Sequence, residues 1–329
     1  MIRLCQIGCG EHAVACHGPA QAKYAAARPG TLELVACADV DPDRAEFYRQ
    51  RFSYQRAYTD PFAMIQAERP DAVVLVVPVE RTCALGAAIL ELGIPVLIEK
   101  PPGRSVAEVD RLIAAAAAGN KTGAPVPHQV ALNRRYAPLV RELRKRLETV
   151  PGPPQHIRYT MVRVDRRDPD FSVTAIHGID AVRYLAGCDY TEVRFRYQEL
   201  PRLGPGVGNV FLDALLASGA TAHLSFCPVA GVLIERAEVH LHDHTFFLEV
   251  PMWSAFDAPG RLQHLHRGTL VEEVRGQANA PFEQGGFDAE LAAFLDDLRA
   301  ARFPAPDLRA ARQSVAVAEA MRAHAERFG

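Results

Sequence analysis

Lysine is scarce in this sequence. Of 37 basic residues only four, Lys23, Lys100, Lys121 and Lys145, are lysines, and the rest are arginines. Charge of one sign is lacking too. The 37 basic residues face 39 acidic ones, for a formal charge of −2. That balance excludes a polybasic nucleic-acid binder or a basic membrane surface. Seven cysteines, at positions 5, 9, 16, 37, 83, 188 and 227, include no C-x-x-C pair. An odd, scattered set excludes a disulfide frame and a zinc ribbon, and implies reduced thiols in a cytoplasmic protein. No apolar run approaches the roughly 20 residues of a membrane span. Met1 leads directly into an apolar strand, without the pattern of a secretory signal. There is no internal repeat and no low-complexity linker.

What is present is a chain of 329 residues, 49% apolar, enough for two domains with sizeable cores. The first third alternates strands with helices. "RLCQIG", "LELVACAD" (32–39), "DAVVLVVP" (71–78), "PVLIEK" (95–100) and "VPHQV" (126–130) are nearly continuous apolar runs. Such runs suit parallel strands buried on both faces. Between them, Asp60 with Pro61 and Ser105 with Glu108 are helix-start signals, the second a capping box. The pattern predicts an α/β fold with a doubly wound parallel sheet, a Rossmann domain over 1–125.

Beyond "VPGPP" (150–154) the character changes. One helix is predicted around 173–186. Strands follow near 190–200, 209–216, 220–228, 233–242 and 244–250, and two helices close the chain at 287–302 and 306–328. Consecutive strands without intervening helices predict a mostly antiparallel sheet. This second α/β domain spans 126–329.

The first strand runs into G-x-G-x-x-A at Gly8, Gly10 and Ala13. The first glycine permits a tight turn, the second lets backbone approach a pyrophosphate, and the small third residue lets the helix sit close to the strand. The helix start then offers N–H groups to phosphates. Asp39, at the end of the second strand, is placed to accept hydrogen bonds from ribose hydroxyls and to repel a 2′-phosphate. NAD is therefore the expected cofactor. NADP stays possible, because Arg44 is within reach of a phosphate.

Lys100 ends a parallel strand and precedes two prolines, and the Lys100–Pro101 bond is a candidate cis peptide. Ligands of open α/β sheets bind beyond such strand ends. An ammonium is compact and its pKa falls on burial, whereas guanidinium stays charged. A site that handles the proton of an alcohol can use the first.

Downstream, Ile176, Ile179, Val182 and Leu185 recur at helical spacing, while His177, Asp180 and Tyr184 share another face. A neutral His177 suits general-base work, with Asp180 orienting the ring or binding a substrate hydroxyl. Arg134, Arg135 and Tyr136 follow the sixth strand and are candidate substrate contacts. "HLHDHT" would put His240, His242 and His244 on one strand face, with His264 and His266 nearby. A polar sheet face is preferred there to a metal site, and no residue is assigned to a metal.

With these motifs the chain resembles the Gfo/Idh/MocA family of NAD(P)-dependent oxidoreductases. The resemblance rests on "GCGEHA" (8–13), "ACADVDPDRA" (36–45), "LIEKPPG" (97–103), "LNRRYAP" (132–138), "IHGIDAVRYLAG" (176–187) and "GGFDAELAAFLDDLRA" (285–300). It implies hydride transfer between nicotinamide and a hydroxyl or carbonyl carbon of a sugar, polyol or related cyclic alcohol. It makes Lys100 and His177 the catalytic pair. Expected cofactor contacts are Gly8, Gly10, Glu11, His12, Ala13, Asp39, Pro78, Glu99 and Lys100, and expected substrate contacts are Asp180, Arg134 and Tyr136. A homodimer or homotetramer through the second sheet is implied. One departure stands out: many members carry an Asp four residues before the histidine, where this chain has Val173. Asp165, Asp168 and Asp170 are candidates to replace it. The departure keeps open an NAD-dependent glycosidase of the same fold, or a non-catalytic dinucleotide-binding regulator.

Overall fold

A computed structural model of the chain describes residues 1–119, 123–253 and 255–329. The chain divides into two compact units, Met1–Leu132 with Phe287–Arg312, and Asn133–Gly286 with Gln313–Gly329. This partition departs from a division at 125/126 in two places. The sixth strand stays with the first unit, and the segment 287–312 returns to it. Lys23 Nζ donates to Asp288 at 2.6 Å and the Tyr24 hydroxyl donates to Asp296 at 2.7 Å. The Val130 N–H donates to the Pro306 carbonyl at 2.8 Å. Reading along the chain cannot register a returning helix, because nothing in its own periodicity names the partner it packs on.

The first unit is built on β1 (Ile2–Ile7), β2 (Leu32–Ala38), β3 (Arg56–Tyr58), β4 (Ala72–Leu75), β5 (Val96–Glu99) and β6 (His128–Ala131). Their spatial order is β3-β2-β1-β4-β5-β6, and every pair is parallel. β4 and β5 are buried along their whole length, as expected when helices cover both faces. The predicted doubly wound sheet is therefore present. Its order reverses between β1 and β4, which opens a crevice at the carboxyl ends of these strands. Helix starts are fixed by side chains. Asp60 accepts from the Phe62 and Ala63 N–H groups at 2.7 and 3.1 Å to begin Pro61–Glu68. Ser105 accepts from the Glu108 N–H at 3.2 Å to begin Val106–Ala118. Glu108 reaches back to the Arg104 N–H, at 2.5 Å, one residue before the usual capping-box partner.

The second unit carries β7 (His156–Val162), β8 (Tyr190–Glu199), β9 (Gly208–Leu216), β10 (Thr221–Cys227), β11 (Ile234–His240), β12 (His244–Glu249), β13 (Arg261–His266), β14 (Thr269–Arg275) and β15 (Arg327–Phe328). They form one sheet in the order β14-β13-β12-β11-β7-β10-β9-β8-β15. Only the β7–β10 pair is parallel. Burial alternates along β7, β10 and β11, the mark of a sheet with one covered face. The cover is the helix Ser172–Ala186, which packs on β7 and β10. The Tyr190 hydroxyl pins it by donating to the Ile179 carbonyl at 2.8 Å. No helix among the described residues is long and apolar enough to cross a membrane.

The histidine run does not lie on one strand. β11 ends at His240 and β12 begins at His244, and Leu241 and His244 exchange backbone hydrogen bonds across a tight hairpin turn. Asp243 takes a φ of 62°, a region that Asp tolerates. His240 is bonded to the Thr245 hydroxyl at 3.0 Å, and His244 Nδ1 meets His264 Nε2 at 2.9 Å. The turn leaves His242 in solvent, so the expected row of three imidazoles is broken.

Candidate active site

The glycine turn is locked by three strand ends. Gly8 has a φ of 86°, and a Cβ there would lie 1.8 Å from the Val76 carbonyl oxygen, so conformation and space both demand glycine. The Gly8 N–H donates to the Ala38 carbonyl, and the Val76 N–H donates to the Ile7 carbonyl, each at 2.8 Å. Gly10 is the opposite case. A Cβ there would meet nothing within 4 Å and would project into space that a bound group needs. The helix opens at Gly10, whose carbonyl accepts from the Val14 N–H at 3.0 Å, so its first-turn N–H groups are the ones a helix leaves for outside acceptors. Asp39 holds the turn as well as facing it. One carboxylate oxygen accepts from the Cys9 N–H at 2.8 Å and the other from the Asp41 N–H at 3.0 Å.

These strand ends surround a cavity of about 650 Å³. Gly8, Gly10, Glu11, His12, Ala13, Asp39, Pro78, Glu99 and Lys100, the nine residues expected at the cofactor, all line it. Arg44 lines it too, together with Arg81 and Leu85, which the sequence does not single out. The open cradle at Gly10, the helix start and the acidic group at the end of β2 fit a dinucleotide. Lys100 is half-buried at the cavity wall, and its bond to Pro101 is cis, as the paired prolines suggest.

The helix after the turn does not wind uniformly. Ala13–His17 is a π-helical segment, followed by α-helix over Gly18–Ala27. His17, which the sequence reading passes over, is thereby brought to the same carboxylate as His12. His17 Nε2 is 3.1 Å from Glu99 Oε2, and His12 Nε2 is 3.4 Å from Glu99 Oε1. Burial pushes the Glu99 carboxyl up, but the two imidazoles together outweigh it and hold the group below the usual carboxylate range. Burial lowers the pKa of His17, and Glu99 only partly offsets this.

In the second unit His177 lies buried on the helix Ser172–Ala186. Its expected neighbour Asp180 is committed elsewhere. Asp180 accepts a bidentate pair from Arg135 at 2.7 and 2.8 Å and a third bond from the Ser314 hydroxyl at 2.9 Å. With these partners it helps to pack the unit. Arg134 is ion-paired in the same way. It is buried, and its guanidinium is bidentate to Glu235 at 3.0 and 3.1 Å. Glu235 also accepts from Tyr159 at 2.5 Å and from Arg163. Burial raises this carboxyl, but Arg134 and Arg163 overcome it and bring the pKa down to about 2. Tyr136 is half-buried at the end of the short 3-10 helix Asn133–Tyr136. Of the acids near Val173, Asp165 pairs with Arg167 at 2.6 Å and Asp168 with Arg166 at 2.8 Å. Asp170 accepts from the Ser172 N–H at 3.0 Å and from its hydroxyl, at the start of the helix.

Comparison with known proteins agrees with this geometry. Residues 2–125 match the GFO_IDH_MocA model, an oxidoreductase family with an NAD-binding Rossmann fold. Inositol 2-dehydrogenase 4 of Saccharopolyspora erythraea is 30% identical over 195 residues, 57% of this chain and 56% of that one. The chain spans about half the length of the curated relatives it matches. Among solved structures, UDP-N-acetylglucosamine 3-dehydrogenase from Acidithiobacillus ferrooxidans superposes with a TM-score of 0.82 at 22% identity, covering 99% of this chain and 98% of that one. Levoglucosan dehydrogenase in complex with NADH gives 0.83 at 19% identity, covering 99% and 98%. At that identity the structures speak to the fold, which is shared over nearly the whole chain. The family match covers residues 2–125, where it describes an NAD-binding Rossmann fold.

Proposed function

We propose that the protein is an NAD-dependent dehydrogenase that interconverts a hydroxyl and a carbonyl on a sugar, polyol or related cyclic alcohol. The observation that carries this reading is the cavity that gathers the glycine turn, Asp39 and Lys100. NAD, when bound, supplies the hydride acceptor. The residues that would hold it are those of the turn, 8–13, with Asp39 at the ribose. Asp39 disfavours a 2′-phosphate by charge, which supports NAD over NADP. Lys100 hydrogen-bonds the reacting oxygen and stabilises the negative charge that develops as its proton leaves. His177 takes that proton in oxidation and returns it in reduction. Relatives named inositol 2-dehydrogenase and levoglucosan dehydrogenase support a ring-shaped, hydroxyl-rich substrate. In the same reading the second sheet carries self-association, with Phe247 on β12 and Leu270 and Val271 on β14 exposed.

The test is turnover of a panel of inositols, polyols and sugars, followed by NADH absorbance. Lys100→Ala and His177→Ala are each expected to lower turnover by about 10²–10⁴-fold, with NAD affinity kept in His177→Ala. Full activity in both variants removes the assignment. NAD binding without turnover on any substrate moves it to the regulator.

A further inference from the structure

The cluster of His12, His17 and Glu99 has more order than cofactor binding requires. We propose that these three side chains form a binding site for one divalent transition-metal ion in the wall of the dinucleotide cavity. Among the described residues they are the one group of three or more His, Cys, Asp or Glu with donor atoms close enough to share an ion, all within 4.8 Å of one another. Ligands to zinc lie at about 2.0–2.2 Å, which puts tetrahedral donors roughly 3.4 Å apart. The two histidine–carboxylate separations, 3.1 and 3.4 Å, already have that spacing.

The backbone supplies a second, independent observation. In an α-helix, at about 100° per residue, positions 12 and 17 would point roughly 140° apart. The π-helical segment Ala13–His17 brings residues five apart onto one side, and the two imidazoles stand 5.5 Å apart, edge to face. A π turn is rare and recurs at functional sites. Phe287 packs edge-on against both rings, at 5.5 and 5.6 Å, and limits their rotation. His12 Nε2 is shielded from solvent yet makes no hydrogen bond of good geometry, an arrangement that an ion would satisfy.

Two imidazoles and one carboxylate select a first-row ion such as zinc or iron(II) over magnesium or calcium. His12 and Glu99 both line the cavity, as does Lys100, so an ion they hold would sit at its wall. His17 closes the site from the buried side. Cys16 Sγ lies 3.7 Å from His12 Nδ1 and fixes the other ring nitrogen, the kind of outer contact that orients a ligating histidine.

The experiment uses the full chain, treated with a chelator and desalted, then titrated with Zn²⁺ by calorimetry and with Co²⁺ by visible spectroscopy. One saturable ion per chain is expected, with the visible bands of a low-coordinate cobalt centre. His17→Ala and His12→Ala should each abolish both signals, while His244→Ala, in the imidazole pair of the second sheet, should leave them unchanged. Zn²⁺ should raise the melting temperature of the wild type and of His244→Ala only. His17 is buried, so if His17→Ala does not fold, the more exposed His12→Ala decides. Absence of a saturable ion in the wild type overturns the proposal. So does binding that survives both site variants, or that disappears only in His244→Ala.

Discussion

Two buried glutamates, one from each unit, are used in opposite ways. Glu99, at the end of β5, meets two imidazoles at the edge of a cavity. Glu235, on β11, meets two guanidiniums and a phenol and is fully sealed from solvent. Arginine stays charged at any ordinary pH, and its fork matches a carboxylate. The Glu235 cluster is therefore a fixed tie that joins β7, β11 and the segment after β6. Imidazole can be neutral, lend a lone pair and exchange a proton. The Glu99 cluster can respond to what enters the cavity beside it. The residue type is the same, and the partners decide whether a buried carboxylate serves the fold or the site.

Substitutions can break or sharpen this contrast. The largest effect is expected at Glu235. Glu235→Ala leaves two guanidiniums buried without their counterion and should cost about 3–5 kcal/mol, read from denaturant unfolding, with NAD affinity kept in the protein that remains folded. The same carboxyl sets an acid limit. Its folded pKa of about 2 lies below an unfolded value of about 4.3, so its contribution is complete above the unfolded value and is lost as pH falls towards 2. In Glu235→Gln the acid branch of the unfolding profile should flatten. Gly8→Ala comes next. It forces a Cβ against the Val76 carbonyl at positive φ, and should destabilise by more than about 2 kcal/mol and abolish NAD binding. Asp39→Asn should weaken NAD by roughly tenfold, about 1.4 kcal/mol, and narrow its preference over NADP, as read by calorimetry. Asp60→Ala removes only a helix cap, and should cost about 1 kcal/mol in unfolding while leaving the cavity and its ligands untouched.

The first unit was open to sequence reading because its strands are buried on both faces and its site residues stand in consecutive turns after them. Gly8, Asp39, Pro78 and Lys100 each end a predicted strand, so placing the strands also places the cavity. His17 escaped because α-helical periodicity assigns it to a different face from His12, and nothing in the residues announces a π turn. The second unit was harder to read. β7 carries the period-two signal in Ile157, Tyr159 and Met161, all buried, but β14 is exposed along most of its length and offers no contrast between core and solvent. Arg134 and Asp180 are expected as substrate contacts because a charged residue near a motif suggests a site. Their partners, Glu235 and Arg135 with Ser314, are distant in sequence, and only the folded chain reveals that both charges are already matched.

The most direct measurement is calorimetric titration of NAD, and separately NADP, into protein stripped of cofactor, beside the same titration of Asp39→Asn. Saturable NAD binding, tighter than NADP and weakened in the variant, is the predicted result. No binding of either dinucleotide to the folded wild type would contradict the account from the glycine turn onward.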